Sequence, residues 1–149
     1  MEEKRNRHAA LGRIIFAVYL CFLAYFLFFA ESMGRTGRES TDYSYNVELF
    51  REIQRFWTYR EQLGTGAVLL NLLGNVAAFL PFGMLVPLFM KRGGRFLRTM
   101  LHGLLFSLGV ELIQLVTRVG SFDVDDIFLN VTGCLIGYLI YRWLISVKS

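Results

Sequence analysis

Four apolar runs divide this 149-residue chain: Gly12 to Ala30, Ala67 to Met90, Thr99 to Val119 and Ile127 to Ser146. Each is about the 20 residues a helix needs to cross a hydrocarbon core about 30 Å thick. Backbone groups inside lipid must satisfy one another, so continuous apolar runs of this length fold as helices. The expectation is an all-α membrane protein, a four-helix transmembrane bundle forming one membrane domain over residues 1–149. Composition agrees, because 54% hydrophobic against 19% charged residues leaves too little polar surface to wet a soluble domain. Only Glu31 to Gly66 is left to hold structure outside the bilayer. That leaves no room for a second, soluble catalytic domain, and any chemistry must lie in or beside the bundle.

The basic residues set the orientation. Lys4, Arg5, Arg7 and Arg13 flank the first run, Lys91, Arg92, Arg95 and Arg98 fill the second connection, and Arg142 and Lys148 close the chain. All fall on one side of a four-span topology, which the positive-inside rule makes cytoplasmic together with both termini. The formal net charge of +4 then reads as anchoring to an anionic inner leaflet rather than as nucleic-acid binding. The first run is longer than a signal-peptide core and ends Phe28-Phe29-Ala30 without a small-x-small cleavage site, so it is expected to stay as a helix. Cys21 and Cys134 lie within runs and match no metal-ligand spacing, which makes them small apolar residues.

Between the first two runs, Leu49, Phe50, Ile53, Phe56 and Trp57 recur at helical spacing with Arg51, Glu52, Arg55, Arg60 and Glu61 largely opposite. This pattern predicts an amphipathic helix over 46–63, capped by Asn46, ended by Gly64 and lying in the extracytoplasmic interface.

The polar residues inside the runs carry the functional reading. Glu111 stands near the middle of the third run, where an acid costs at least about 2.5 kcal/mol and calls for a partner or a polar cavity. Gln114 and Arg118 follow at spacings of three and four, on the same face. In the second run Asn71, Asn75, Phe79 and Gly83 recur every four residues and form a slowly drifting stripe. Pro81 should bend that helix by removing a donor and crowding the carbonyl of Ala77. Asp123, Asp126 and Asn130 share a face at the start of the fourth run, with Asp125 offset, and Gly133 and Gly137 form a small-xxx-small step. Acids at a helix start are also favoured by the macrodipole, which is their purely structural explanation. Ser107, one turn from Glu111, has no His or Lys partner and reads as small-residue packing.

With the termini inside, Asn71, Asn75, Glu111, Gln114, Arg118, Asp123, Asp125, Asp126 and Asn130 all fall in the outer half. They define an expected outward-facing polar crevice, with Asn75 and Glu111 at its floor and Arg118 and the aspartates at its rim. Phe79, Pro81, Gly83, Gly133 and Gly137 are assigned to structure.

In these segments the chain resembles the VanZ-like integral membrane proteins. The matching stretches are Asn71 through Asn75, Phe79 and Pro81 to Gly83, then Glu111 to Gln114, then Arg118, Phe122 to Asp126, and Asn130 to Gly133. Asn46 to Ile53 resembles a further family element, although Leu49 stands where many members have proline. The resemblance implies a multi-pass protein of the bacterial cell membrane. The family's namesake is associated with resistance to the lipoglycopeptide teicoplanin, and no biochemical activity carries over with it.

Three functions are consistent with these residues. The first is binding or modulating a lipid-linked or lipophilic envelope ligand, such as a cell-wall precursor or a lipoglycopeptide, alongside membrane lipid. The second is an intramembrane enzyme acting on an envelope lipid, with Glu111 as general acid or base and Asp123, Asp125 and Asp126 as a weak candidate site for a hard divalent cation. The third is an oligomeric ion- or proton-coupled transporter. No cofactor is expected, and a homo-oligomer is compatible with all three.

Overall fold

The structure is a computed structural model describing residues 10–25, 45–90, 93–118 and 120–147. Helix makes up 86% of these residues, which fixes the class as all-α. The chain divides into two compact units, Met1–Arg38 and Glu39–Ser149. The first contains helix α1, Ala10–Tyr25, an apolar helix on which the rings of Phe16 and Tyr19 lie tilted to each other at a centroid distance of 6.1 Å. The remainder of the first apolar run, 26–30, lies outside the described residues, as do the basic residues Lys4, Arg5, Arg7, Lys91, Arg92 and Lys148.

The second unit opens with a two-residue strand β1, Tyr45–Asn46, followed by helices α2, Arg51–Thr58, and α3, Arg60–Leu63. Helix α4, Thr65–Leu85, continues into a 3-10 turn, Val86–Phe89. Helix α5 is Arg95–Thr117, strand β2 is Phe122–Asp123, and helix α6 is Val124–Val147. Among the described residues, three stretches are long and apolar enough to cross a membrane: Val68–Phe89, Arg95–Thr117 and Val124–Val147. They fall within a few residues of the last three expected spans. Pro81 lies within α4, whose bounds extend past it; the departure from α geometry comes later, in the turn containing Pro87.

The amphipathic segment differs in detail from expectation. Helix begins at Arg51, not at Asn46, because Asn46 is taken up by β1 and Phe50 breaks the backbone with a left-handed φ of 68°. Gly64 does end α3, with φ 86°, a conformation that glycine adopts without steric cost.

Helix α6 is central, packing extensively on α4 and also on α5. Its closeness to α4 is a glycine effect. A Cβ at Gly133 would lie 2.1 Å from the carbonyl oxygen of Val76, one at Gly137 2.0 Å from that of Leu80, and one at Gly83 1.9 Å from that of Cys134. Only hydrogen fits at these three positions, so the helices meet backbone to backbone. Between α4 and α5, aromatic rings fill the space: Phe82 stacks on Phe106 at 5.3 Å, and the fully buried Phe79 lies 5.9 Å from Phe106.

At the far end of α5 a single guanidinium joins three elements. Arg95 donates from Nε and Nη2 to the Met90 carbonyl at 3.1 and 2.8 Å and from Nη1 to the Tyr141 hydroxyl of α6. Its role is therefore more than that of a loop charge.

Candidate functional site

The polar residues converge where α4 and α6 begin and α5 ends. Asp126, in the first turn of α6, accepts a hydrogen bond from Asn75 Nδ2 at 2.6 Å. Asn75 is ten residues into α4, about 15 Å along its axis at 1.5 Å rise per residue, so the first turn of α6 meets α4 well below its start. An acidic turn is thus sunk below the end of the bundle. Helix α5 stops with Arg118 in a left-handed cap, φ 58°, and the turn is closed by Gly120 N–H donating to the Gln114 carbonyl at 3.4 Å.

Glu111 is 2% exposed, and its Oε2 accepts the backbone N–H of Asp123 at 2.8 Å. Asp123 in turn accepts at Oδ1 from Asn46 Nδ2 at 3.0 Å and from the Asp125 N–H at 2.8 Å. Asn46 Oδ1 accepts the N–H of Glu48 at 3.1 Å. The two strands support this chain of bonds by pairing in parallel, Tyr45 with Phe122 and Asn46 with Asp123. A carboxylate within an apolar helix is thereby linked to the segment preceding α2. Burial raises the Asp123 carboxyl above its ordinary 3.8, assisted by the charges of Asp125 and Glu52 and opposed by the two hydrogen bonds it accepts.

Asp125 is 1% exposed and faces a different way. Its oxygens accept the N–H groups of Phe50, of Glu52 at 2.8 Å and of Ile53 at 3.2 Å, which are the otherwise unmet donors at the start of α2. The expectation that Asp123, Asp126 and Asn130 share a helical face with Asp125 offset is therefore altered. Asp123 precedes the helix in β2, and Asp125 is the residue that holds the loop. The three aspartates engage Asn46, the backbone of α2 and Asn75 respectively, and no group of three or more acidic, His or Cys side chains suited to a metal ion occurs among the described residues.

Deeper in the bundle, Asn130 of α6 donates from Nδ2 to Ser107 Oγ of α5 at 3.0 Å, with both residues at most 1% exposed. Ser107 is thus a hydrogen-bonding partner as well as a small residue in a tight interface. The sequence signal was present, since Ser107, Glu111 and Gln114 share one face, and Gln114 is 3% exposed. Asn71 and Arg118 are exposed. The stripe explains Asn71: steps of four residues turn about 40° beyond a full circle, so Asn71 at one end faces outward while Phe79 and Gly83 face inward.

A model of the VanZ/LLP1 family matches residues 16–145. The chain belongs to the VanZ/LLP1 family. Over 71 residues it is 34% identical to Protein VanZ of Enterococcus faecium, a stretch covering 48% of this chain and 44% of that relative. The match therefore spans less than half the length of that protein. No solved structure matches. Family and helices together make this a multi-pass membrane protein of VanZ/LLP1 type.

Proposed function

We propose that this VanZ/LLP1 protein binds or modulates a lipid-linked or lipophilic ligand of the bacterial envelope, through a polar crevice open to the outer face of the membrane. The observation that carries the reading is the bonded path from Glu111 through Asp123 to Asn46. A purely structural carboxylate could be met by one neighbouring side chain. Here an intramembrane acid is coupled to a segment outside the spans, as a binding site shared between membrane and surface requires.

In this reading both termini are cytoplasmic, and the α2–α3 segment lies in the outer interface beside the recessed acids. Arg118 meets a phosphate or carboxylate of the ligand, the amides of Asn71, Asn75 and Gln114 meet sugar or peptide groups, and Asp123 and Asp126 meet ammonium groups, while Asp125 holds the start of α2 and Asn130 lies deeper, on Ser107. The apolar tail of the ligand lies against the helices. Kinship with VanZ extends the proposal to a contribution to teicoplanin resistance.

The test is teicoplanin and vancomycin susceptibility in a Gram-positive host expressing wild type or Glu111→Gln, with membrane levels matched by blot. Wild type is expected to raise teicoplanin resistance and the equally abundant variant to lose the effect. Binding of labelled teicoplanin and lipid-linked precursors to purified protein provides the direct check. Failure of both to bind at micromolar concentration overturns the reading.

A further inference from the structure

Asn130 holds an unsatisfied end. Its Nδ2 is spent on Ser107, while its Oδ1, fully buried, meets no donor among the described residues. Turning the amide over does not resolve this: Ser107 would then donate to Oδ1, and the NH2 group would lack an acceptor in the same place. A buried polar atom without a partner costs about 1 to 3 kcal/mol. The usual remedy is a buried water, which needs two or more polar neighbours. They are at hand. Ser107 Oγ is one, and Glu111 stands one turn further along the buried face of α5.

We propose that a neutral hydrogen-bond donor, a water molecule in the resting protein, binds against Asn130 Oδ1 between α5 and α6 and links Asn130 and Ser107 to Glu111. This site lies inside the bundle, below the bonded acids, and does not depend on what the outer crevice binds. Ser107 is ten residues from the end of α5, about 15 Å along its axis, which places the site near mid-membrane. Beyond it the interior turns apolar. The rings of Phe79, Phe82 and Phe106 cluster beside α5, and Cys134 packs where a Cβ at Gly103 would come within 2.8 Å of its sulfur. The polar column thus has an inner terminus. The proposed site is served from the end that carries Asp123 and Asp126, where Glu111 accepts the Asp123 N–H. The same acceptor would take the hydroxyl of a lipid in place of water.

Water-edited solid-state NMR on the full chain, perdeuterated, back-exchanged and reconstituted in phosphatidylglycerol bilayers with labelled asparagine and cysteine, tests this. Magnetisation starting on water is expected to reach the Asn130 amide well before Cys134, which is fully buried one turn away. The Asn130 resonance is the one lost in both Asn130→Gln and Asn130→Leu. If those variants fail to fold, sequential connectivity from Leu129 to Val131 in the wild type assigns it. Ser107→Ala, which removes the hydroxyl and adds no bulk to this fully buried position, should slow the transfer toward the Cys134 rate. Transfer to wild-type Asn130 as slow as to Cys134 overturns the proposal. Transfer arriving first from lipid glycerol protons overturns water as the occupant.

Discussion

Asp125 sits at the N-termini of two helices at once, in the first turn of its own α6 and against the opening donors of α2. Both macrodipoles favour a negative charge there. Asp125→Ala leaves the Glu52 and Ile53 N–H groups unmet, at about 1 to 3 kcal/mol, whereas Asp125→Asn keeps one acceptor and should lose less. Hydrogen exchange at Glu52 and Ile53 is expected to accelerate most in the alanine variant; unchanged protection would mean that α2 is held by other contacts. Its neighbour Asp123 makes a prediction of opposite character. Burial raises its carboxyl, so the folded protein holds that proton more tightly than the unfolded chain does. Its contribution to stability is complete below 3.8 and is lost as pH rises through the raised value. Denaturation followed upward from pH 3.8 should show a steeper loss in wild type than in Asp123→Asn. At this scale the sequence identified the residues better than their partners. Glu111 and the aspartates stand out as charges in an apolar context, but nothing local shows that Asp125 binds backbone 72 to 75 positions away.

At the scale of elements, the close contact of α4 and α6 rests on Gly83, Gly133 and Gly137. Gly133→Ala and Gly137→Ala should each destabilise by about 1 to 3 kcal/mol, as insertion of a methyl group into a filled interface does. Gly109→Ala is the control, since a Cβ there meets nothing within 4 Å. Thermal unfolding in detergent should separate the first two from the third. The spans were legible because twenty apolar residues admit little else, yet their ends were not. Arg95 and Arg98 mark α5 as starting late on hydropathy, although both are helical, and Asp125 and Asp126 conceal the true start of α6 in the same way. The β1–β2 pairing was illegible: two residues carry no alternation, and Asn46 read equally well as a helix cap.

Taken whole, the second unit gathers its buried acids at one end and its Arg95 junction at the other. If the acidic end is outermost, a cysteine at Trp57 should react with an impermeant maleimide on intact cells, and one at Gly93 only after permeabilisation; the reverse pattern would invert the protein in its membrane. The parallel pairing has a temporal meaning as well. Asn46 and Asp123 are 77 positions apart, and the two long helices between them, α4 and α5, must be threaded into the bilayer before they can meet. The segment made first therefore waits through most of synthesis for the turn made near the end. Until α6 is delivered, the opening amides of α2 have only water or lipid head groups to bind. A ribosome stalled after α5 would display this protein with its surface segment undocked, the interval in which quality-control proteases would find it most easily.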